Sequence, residues 1–70
     1  MNTSSLKCLT LKELMQLTGI SRSSIYDRIN PRSKRYDPQF PKPIKFGHLT
    51  RWHLSEVDSW IKSKIENRNQ

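Results

Sequence analysis

A glycine interrupts the helical pattern of the stretch LMQLTGISRSSIY, residues 14–26, and this break limits the folds open to the chain. The apolar residues before the break recur at helical spacing on one face: Leu11, Leu14, Met15 and Leu17. Gly19 can adopt the positive φ that a helix C-cap favours, and Ser21 is an N-cap candidate for a second helix. One long helix is therefore excluded, and the spacing predicts two short helices joined by a tight turn, the helix-turn-helix arrangement.

Local signals also predict where both helices start and stop. Thr10 followed by Glu13 is a capping box, which predicts the start of the first helix. Pro31 disfavours helical geometry in the residue before it, so the second helix is expected to end near Ile29 or Asn30. The residues expected to face the core from these helices and their turn are Leu14, Leu17, Ile20, Ile25 and Ile29.

The rest of the chain predicts a loop, a hairpin and a third helix. Residues 31–43 contain all four prolines and several cations, which is typical of a loop. The stretch IKFGHLTRWH alternates and predicts a hairpin with its turn at Gly47 and His48. Ser55 with Asp58 three residues on is a second capping box in looser form, so the last helix is expected to begin at Ser55. Its amphipathic stripe is Val57, Trp60, Ile61, Lys64 and Ile65.

These elements predict one α+β domain, mostly helical, of the small winged helix-turn-helix type. A chain of 70 residues buries only roughly 60% of the surface that its unfolded form exposes, so the core must be small. Trp52 and Trp60 fall on apolar stripes and are expected in that core. The domain is expected to span residues 10–66, between a flexible leader at 1–9 and a frayed tail at 67–70.

Positive charge is concentrated in the middle of the chain. Thirteen Lys and Arg stand against six Asp and Glu, which gives a net charge of +7 and a pI near 10.1. Residues 21–53 alone carry a net +6. A pI above about 9 in a small domain is typical of nucleic-acid binding. The alternative is a soluble basic protein whose charged face meets only water.

The second helix carries the residue types suited to a DNA major groove. The candidate DNA-binding residues on it are Ser21, Arg22, Ser23, Ser24, Tyr26, Asp27 and Arg28. Residues at the N-terminus of a recognition helix contact base edges, and Arg22 can pair bidentately with guanine. Ser21 is expected first as a helix cap, and Asp27 more often pairs with a neighbouring arginine than accepts from cytosine. Tyr26 fits the edge of the core and a phosphate contact equally well.

The loop and the hairpin supply a second group of candidates. These are Arg32, Lys34, Arg35, Lys42, Lys45, His48, Thr50 and Arg51. A hairpin of this kind can act as a wing that lies along the DNA backbone or enters the minor groove, where narrow A·T tracts attract Arg and His. The alternative role for His48 is that of a solvated turn residue, which is about equally expected. The alternative role for Arg51 is an ion pair that braces the wing.

Little in the sequence supports catalysis. The single Cys8 cannot form an internal disulfide, and His48 and His53 have no cysteine or carboxylate at zinc-ligand spacing. We therefore expect no enzyme activity, no cofactor and no metal. No apolar run approaches the roughly 20 residues of a membrane span, and the chain does not start like a signal peptide. A cytoplasmic, nucleoid-associated protein without a membrane partner is expected.

The segments LTLKELMQLTGISRSSIYDRI, FPKPIKFG, RW and SEVDSWI together resemble the AlpA family of phage and prophage DNA-binding regulators. The resemblance covers roughly residues 9–65. It implies a winged helix related to MerR-type and excisionase-type domains, with a recognition helix at Ser21–Ile29 and a wing between Ile44 and Trp52. The segment NPRSKRYDPQ is longer than the link usual in the family, which implies either extra phosphate contacts or a mobile insert.

The resemblance also implies function and partners. It implies a transcriptional regulator of a phage or integrated element, for example of an integrase gene, and an excisionase role in which attachment-site DNA is bent. The partners implied are double-stranded DNA at a promoter or attachment site, an integrase, and further copies of the chain.

Two other functions stay open at this point. The chain could be a protein-interaction module or inhibitor that uses its basic face on an acidic protein. RNA binding is weaker, because no exposed aromatic pair offers a stacking surface. Competition by duplex DNA separates these classes.

Overall fold

A computed structural model describes residues 7–68. Its elements are β1 (Cys8–Leu9), α1 (Leu11–Thr18), α2 (Arg22–Ile29), β2 (Ile44–Phe46), β3 (Leu49–His53) and α3 (Leu54–Asn67). The strands form one antiparallel sheet in the order β1-β3-β2. The predicted α+β winged helix-turn-helix architecture is confirmed, with one additional strand. None of the helices within residues 7–68 has the length and the apolar composition that a membrane span requires.

The predicted caps of α1 and α2 are confirmed. The Glu13 N–H donates to Thr10 Oγ1 at 3.1 Å, and the Thr10 N–H donates to Glu13 Oε1 at 2.9 Å, which completes the capping box. Gly19 has a φ of 73° and ends α1 in the left-handed conformation. Ser21 Oγ accepts from the Ser24 N–H at 3.3 Å and starts α2. The turn between the helices is thus specified by hydrogen bonds local to the sequence.

Both ends expected to be flexible contain regular structure. Within the leader predicted at 1–9, Cys8 and Leu9 form β1 and pair with β3. Leu9 is only 5% exposed, so this short strand contributes to the core. Within the tail predicted at 67–70, α3 continues through Asn67. The first six residues of the leader and the last two of the tail lie outside the described residues.

The last helix begins one residue before the predicted start. α3 begins at Leu54, directly after β3, and His53 occupies the N-cap without a side-chain cap. Ser55 Oγ instead forms a hydrogen bond with His53 Nδ1 at 2.7 Å, and Asp58 pairs with Lys62 at 3.2 Å. The prediction of a second capping box at Ser55 and Asp58 is therefore wrong. Because β3 runs into α3 without a linker, Ser55 already lies inside the first helical turn.

The core lies where the sheet, α1, α2 and the start of α3 meet. Its buried residues are Leu9, Leu14, Ile25, Phe40, Trp52 and Val57. Phe40 comes from the loop and packs edge-on against the partly buried Trp60, with ring centroids 4.9 Å apart. Leu17 was expected in the core but is 50% exposed. It faces a shallow groove that it shares with Ile61 and Ile65, near the C-terminal end of α1.

Candidate nucleic-acid interface

The outer face of α2 presents the predicted recognition residues. Ser21, Arg22, Ser23 and Tyr26 are exposed, and Ser24, Asp27 and Arg28 are partly buried. Ile25 is fully buried and holds the inner face of the helix on the core. With the inner face fixed in this way, the first turn of α2 is open to a ligand.

The serine hydroxyls at the start of α2 are engaged with one another. Besides capping, Ser21 Oγ donates to Ser24 Oγ at 3.1 Å and lies 3.5 Å from Ser23 Oγ. The prediction that Ser21 acts as a cap is confirmed. These hydroxyls therefore stabilise the helix N-terminus that any bound phosphate or base would approach.

The charged side chains of α2 differ in whether they form ion pairs or hydrogen bonds within the protein. The two ion pairs within residues 7–68 both use lysines of α3, so Arg22 has no ion-pair partner in this part of the chain. Asp27 has none there either, so its expected pairing with an arginine is not formed. Arg28 instead donates from Nη1 to the Ser24 carbonyl at 3.2 Å. Arg22 is the α2 cation left free to reach outward.

Tyr26 lies at the edge of the core. Its ring meets Trp52 edge-on, with centroids 6.5 Å apart, yet 45% of the residue is exposed. One edge of the ring is therefore packed while the rest faces solvent beside the outer face of α2.

Residues 31–43, here called the basic loop, form a succession of turns beside α2. The Ser33 N–H donates to the Asn30 carbonyl at 2.9 Å, and the Asp37 N–H donates to the Arg28 carbonyl at 2.9 Å. The loop cations that were predicted to contact DNA are all exposed: Arg32, Lys34, Arg35 and Lys42. The loop thus places its positive charge next to the C-terminal end of α2.

The wing predicted between Ile44 and Trp52 falls on β2, the turn and β3, and the name is used below for residues 44–53. Lys45 and Thr50 are paired across the strands, and Lys45 Nζ donates to Thr50 Oγ1 at 2.7 Å. Arg51 donates from Nη1 to the Thr50 carbonyl at 2.7 Å. It has no ion-pair partner within residues 7–68, so the ion pair expected to brace the wing is not formed in this part of the chain. His48 is exposed at the turn.

Sequence reasoning missed one residue of this surface, Asp37. Its Oδ2 accepts from Trp60 Nε1 at 3.0 Å and pairs with Lys64 Nζ at 3.3 Å, while its Oδ1 accepts from the Gln39 N–H at 2.9 Å. The Asp-Pro dipeptide indicates a turn here. The contacts with α3 leave no local signal, because the partners lie more than 20 residues along the chain.

A cleft of about 590 Å³ lies between the basic loop and α3. Its charged lining residues are Arg28, Lys34, Arg35, Asp37 and Lys64. The excess of cations suits an anionic group such as phosphate. Within residues 7–68, no group of three or more His, Cys, Asp or Glu side chains is placed to hold a metal ion.

Two carboxyl groups of the fold have lowered pKa values. The Thr10 backbone N–H lowers the pKa of Glu13 below its ordinary 4.5, and this outweighs partial desolvation. Burial raises the pKa of Asp37, but hydrogen bonds from Trp60 and Gln39 and the charge of Lys64 leave it below its ordinary 3.8. Both groups therefore favour the folded state in their charged forms.

The lowered pKa values predict an acid-sensitive fold. The contribution of both carboxylates is fully present above their ordinary values of 4.5 and 3.8, and is lost as pH falls through the lower folded-state values. The double variant Glu13→Gln, Asp37→Asn is expected to be less stable than the wild type at pH 7. Urea unfolding at pH 7, 5, 4 and 3 should show the two stability curves converging as pH falls. A difference that stays constant with pH would contradict this prediction.

Comparisons with known proteins place the chain among phage regulators. A family model described as "Prophage CP4-57 regulatory protein (AlpA)" matches residues 7–65. The "DNA-binding transcriptional activator AlpA" of Escherichia coli (strain K12) is 39% identical over 66 residues, which cover 93% of this chain and 94% of that protein. "Uncharacterized protein ORF88" of Enterobacteria phage P4 is 33% identical over 63 residues, 89% of this chain and 65% of that protein. No solved structure matches the chain.

Proposed function

Because this chain belongs to the AlpA family of prophage regulatory proteins, we propose that it is a regulator of transcription that binds double-stranded DNA. The observation that carries the proposal is the open N-terminal turn of α2. There Arg22 is exposed and has no ion-pair partner within residues 7–68, on a helix anchored to the core by Ile25. A relative that aligns over nearly its full length is named a DNA-binding transcriptional activator, which supports the same reading.

In the proposed mechanism, α2 enters the major groove with its N-terminal turn facing the bases. Arg22 reads a guanine through two parallel hydrogen bonds, a geometry that the guanidinium is built to make. The hydrogen-bonded hydroxyls of the serines at positions 21, 23 and 24 keep the first turn rigid, and Ser21 occupies the Ser24 N–H as its cap. The other backbone N–H groups of this turn then meet a phosphate. Arg28 lies along the helix and adds positive charge at its edge.

In this proposal the basic loop and the wing contact the DNA backbone while α2 lies in the groove. Each lysine or arginine that neutralises a phosphate releases condensed counterions, which supplies affinity without sequence preference. The exposed cations of the loop and Lys45 of the wing have this role. Thr50 holds Lys45 and accepts from Arg51 through its carbonyl, so it acts as a brace for both wing cations.

The proposed site requires more than one copy, or a partner, for full specificity. α2 has eight residues, little more than two turns, and a helix this short reads few base pairs. We therefore propose that several copies bind adjacent sites, or that an integrase binds beside the protein. Bending of attachment-site DNA by such an array is the excisionase form of the proposal.

Footprinting tests this proposal. The full chain is incubated with DNA that flanks its own gene and the nearest integrase gene, and nuclease protection is mapped. We expect a discrete protected segment that unlabelled duplex of that sequence competes away. Poly-glutamate should compete much less well, because it offers negative charge without base edges.

Two other outcomes of the footprint would contradict this proposal or extend it. If no segment is protected, or if poly-glutamate and specific duplex compete equally, the proposal is wrong and a module that binds acidic proteins is favoured. If the protected segment lies in the attachment site, circular-permutation mobility shifts then measure whether the DNA is bent.

A further inference from the structure

Asp37 fastens the basic loop to the helices. Within residues 7–68, the hydrogen bonds and ion pair that join residues 31–43 to α3 or to the body of α2 all involve this residue. Its backbone N–H donates to Arg28 of α2, and its carboxylate reaches Trp60 and Lys64 of α3. The other hydrogen bonds of the loop run between near neighbours in sequence. The position of the loop therefore depends on the backbone and side chain of Asp37 and on the packing of Phe40 and Pro41, which are both buried.

The surroundings of Asp37 make this attachment rigid. Trp60, its donor, is itself fixed by an edge-on contact with the buried Phe40 at 4.9 Å. Lys64 Nζ lies 5.5 Å from the centre of the Trp60 ring as well as 3.3 Å from the carboxylate. The side chain of Asp37 is only 19% exposed. A charged group shielded in this way holds its partners more firmly than an exposed ion pair does.

The charge of Asp37 is unexpected for a surface that binds a polyanion. It lies in a cleft with Arg28, Lys34 and Arg35, where a carboxylate repels phosphate. The carboxylate stays charged, because the donors around it lower its pKa. On charge alone, loss of Asp37 would strengthen DNA binding.

We propose that Asp37 is a positioning residue for DNA binding, which holds the basic loop so that Arg32, Lys34 and Arg35 lie against the backbone beside α2. This inference rests on the proposed function. It reverses the expectation from charge: removal of a negative residue weakens binding, because the DNA then has to order the loop itself.

The test compares two variants that lose the same charge. Asp37→Ala removes the carboxylate contacts with Trp60 and Lys64 but keeps the backbone bond to Arg28, and Asp58→Ala removes an exposed carboxylate paired with Lys62 on α3. Fluorescence anisotropy with a labelled 20-base-pair duplex measures affinity at several salt concentrations. We expect Asp37→Ala to weaken binding about three- to tenfold. We expect Asp58→Ala to leave binding unchanged or to tighten it by up to about twofold. Binding by Asp37→Ala that is as tight as by Asp58→Ala would overturn the proposal.

Limited trypsin cleavage gives a second readout that does not need DNA. The basic loop contains its own cleavage sites at Arg32, Lys34 and Arg35, and cleavage of a folded protein follows the population of locally opened chain. Mass spectrometry should show loop cleavage at least about fivefold faster in Asp37→Ala than in the wild type and Asp58→Ala. Unchanged cleavage overturns the role of Asp37 in fixing the loop. Faster cleavage without weaker DNA binding overturns its link to DNA.

A second variant covers the case in which Asp37→Ala does not fold. Trp60→Phe keeps an aromatic ring against Phe40 but removes the Nε1 donor, with no change of charge. Circular dichroism verifies the fold, and we expect faster loop cleavage and weaker binding in the same direction as for Asp37→Ala. Wild-type cleavage and affinity in this variant would overturn the proposal. If the wild type binds no duplex at all, the proposed function is wrong, while trypsin cleavage still reports on the attachment of the loop.

Discussion

Replacing Trp52 with alanine is expected to leave the chain unfolded at 25 °C. Trp52 is fully buried, pairs with Leu9 of β1 and meets the ring of Tyr26. Truncating a buried tryptophan costs about 3–5 kcal/mol. The core of a domain of this size rarely supplies more than about 3–5 kcal/mol in total. The cost of the truncation therefore equals the entire free energy of unfolding. Urea titration followed by circular dichroism should show no cooperative transition in Trp52→Ala.

Two further variants separate this packing effect from a general sensitivity to aromatic loss. Trp52→Phe should cost much less than Trp52→Ala. It keeps a ring and removes an Nε1 donor that has no hydrogen-bond partner within residues 7–68. Phe46→Ala should change stability by less than about 0.5 kcal/mol, because Phe46 is 53% exposed. A cooperative transition for Trp52→Ala within 1 kcal/mol of the wild type would contradict the assignment of Trp52 to the centre of the core.

Replacing Arg32, Lys34 and Arg35 together with alanine is expected to weaken binding to every duplex to a similar extent. All three side chains are exposed and none has an ion-pair partner within residues 7–68, so each can neutralise a phosphate. The slope of log affinity against log salt should flatten by roughly 3 units or fewer, since each lost phosphate contact removes about 0.9 unit. Anisotropy titrations on the footprinted duplex and on a random duplex, from 50 to about 200 mM salt, measure this slope.

A matched triple variant controls for net charge. Lys12, Lys62 and Arg68 are exposed cations outside the basic loop, the wing and α2, and their replacement by alanine removes the same charge. This control should change the slope much less. Equal changes in the two triple variants would contradict a direct contact between the basic loop and the duplex.

Much of the helix-turn-helix could be predicted because its signals are local. The capping box of Thr10 and Glu13, the left-handed Gly19 and the cap at Ser21 each act within three or four residues. The structure forms all of them as predicted. The conformation of a residue with such short-range partners is determined by its neighbours in the sequence.

The features that could not be predicted depend on distant partners. β1 has only two residues, too few for a period, and its strand character comes from pairing with β3. The start of α3 is displaced from Ser55 because β3 runs straight into the helix. Leu17 has the spacing of a core residue but lines an open groove with Ile61 and Ile65 and remains exposed. In each case tertiary contacts override a local pattern.

The candidate interface also combines features that local sequence predicts with features that depend on distant partners. The exposed cations of α2, the basic loop and the wing follow from composition and spacing alone. The attachment of the basic loop to α3 does not follow from the sequence, because it depends on the contacts of Asp37 with Trp60 and Lys64, more than 20 residues away. The hydrogen bond between Lys45 and Thr50 also depends on strand register, which the sequence specifies only weakly in a short hairpin.

Whether α2 reads bases is tested most directly by the affinity of Arg22→Ala on the footprinted duplex and on a random duplex of equal length. If Arg22 pairs with a base, the variant loses about 1–3 kcal/mol on the specific duplex and far less on the random one. Arg32→Ala serves as the matched control and should lose a similar amount on both. Equal losses for Arg22→Ala on the two duplexes would contradict base reading by α2 and reduce Arg22 to a phosphate contact.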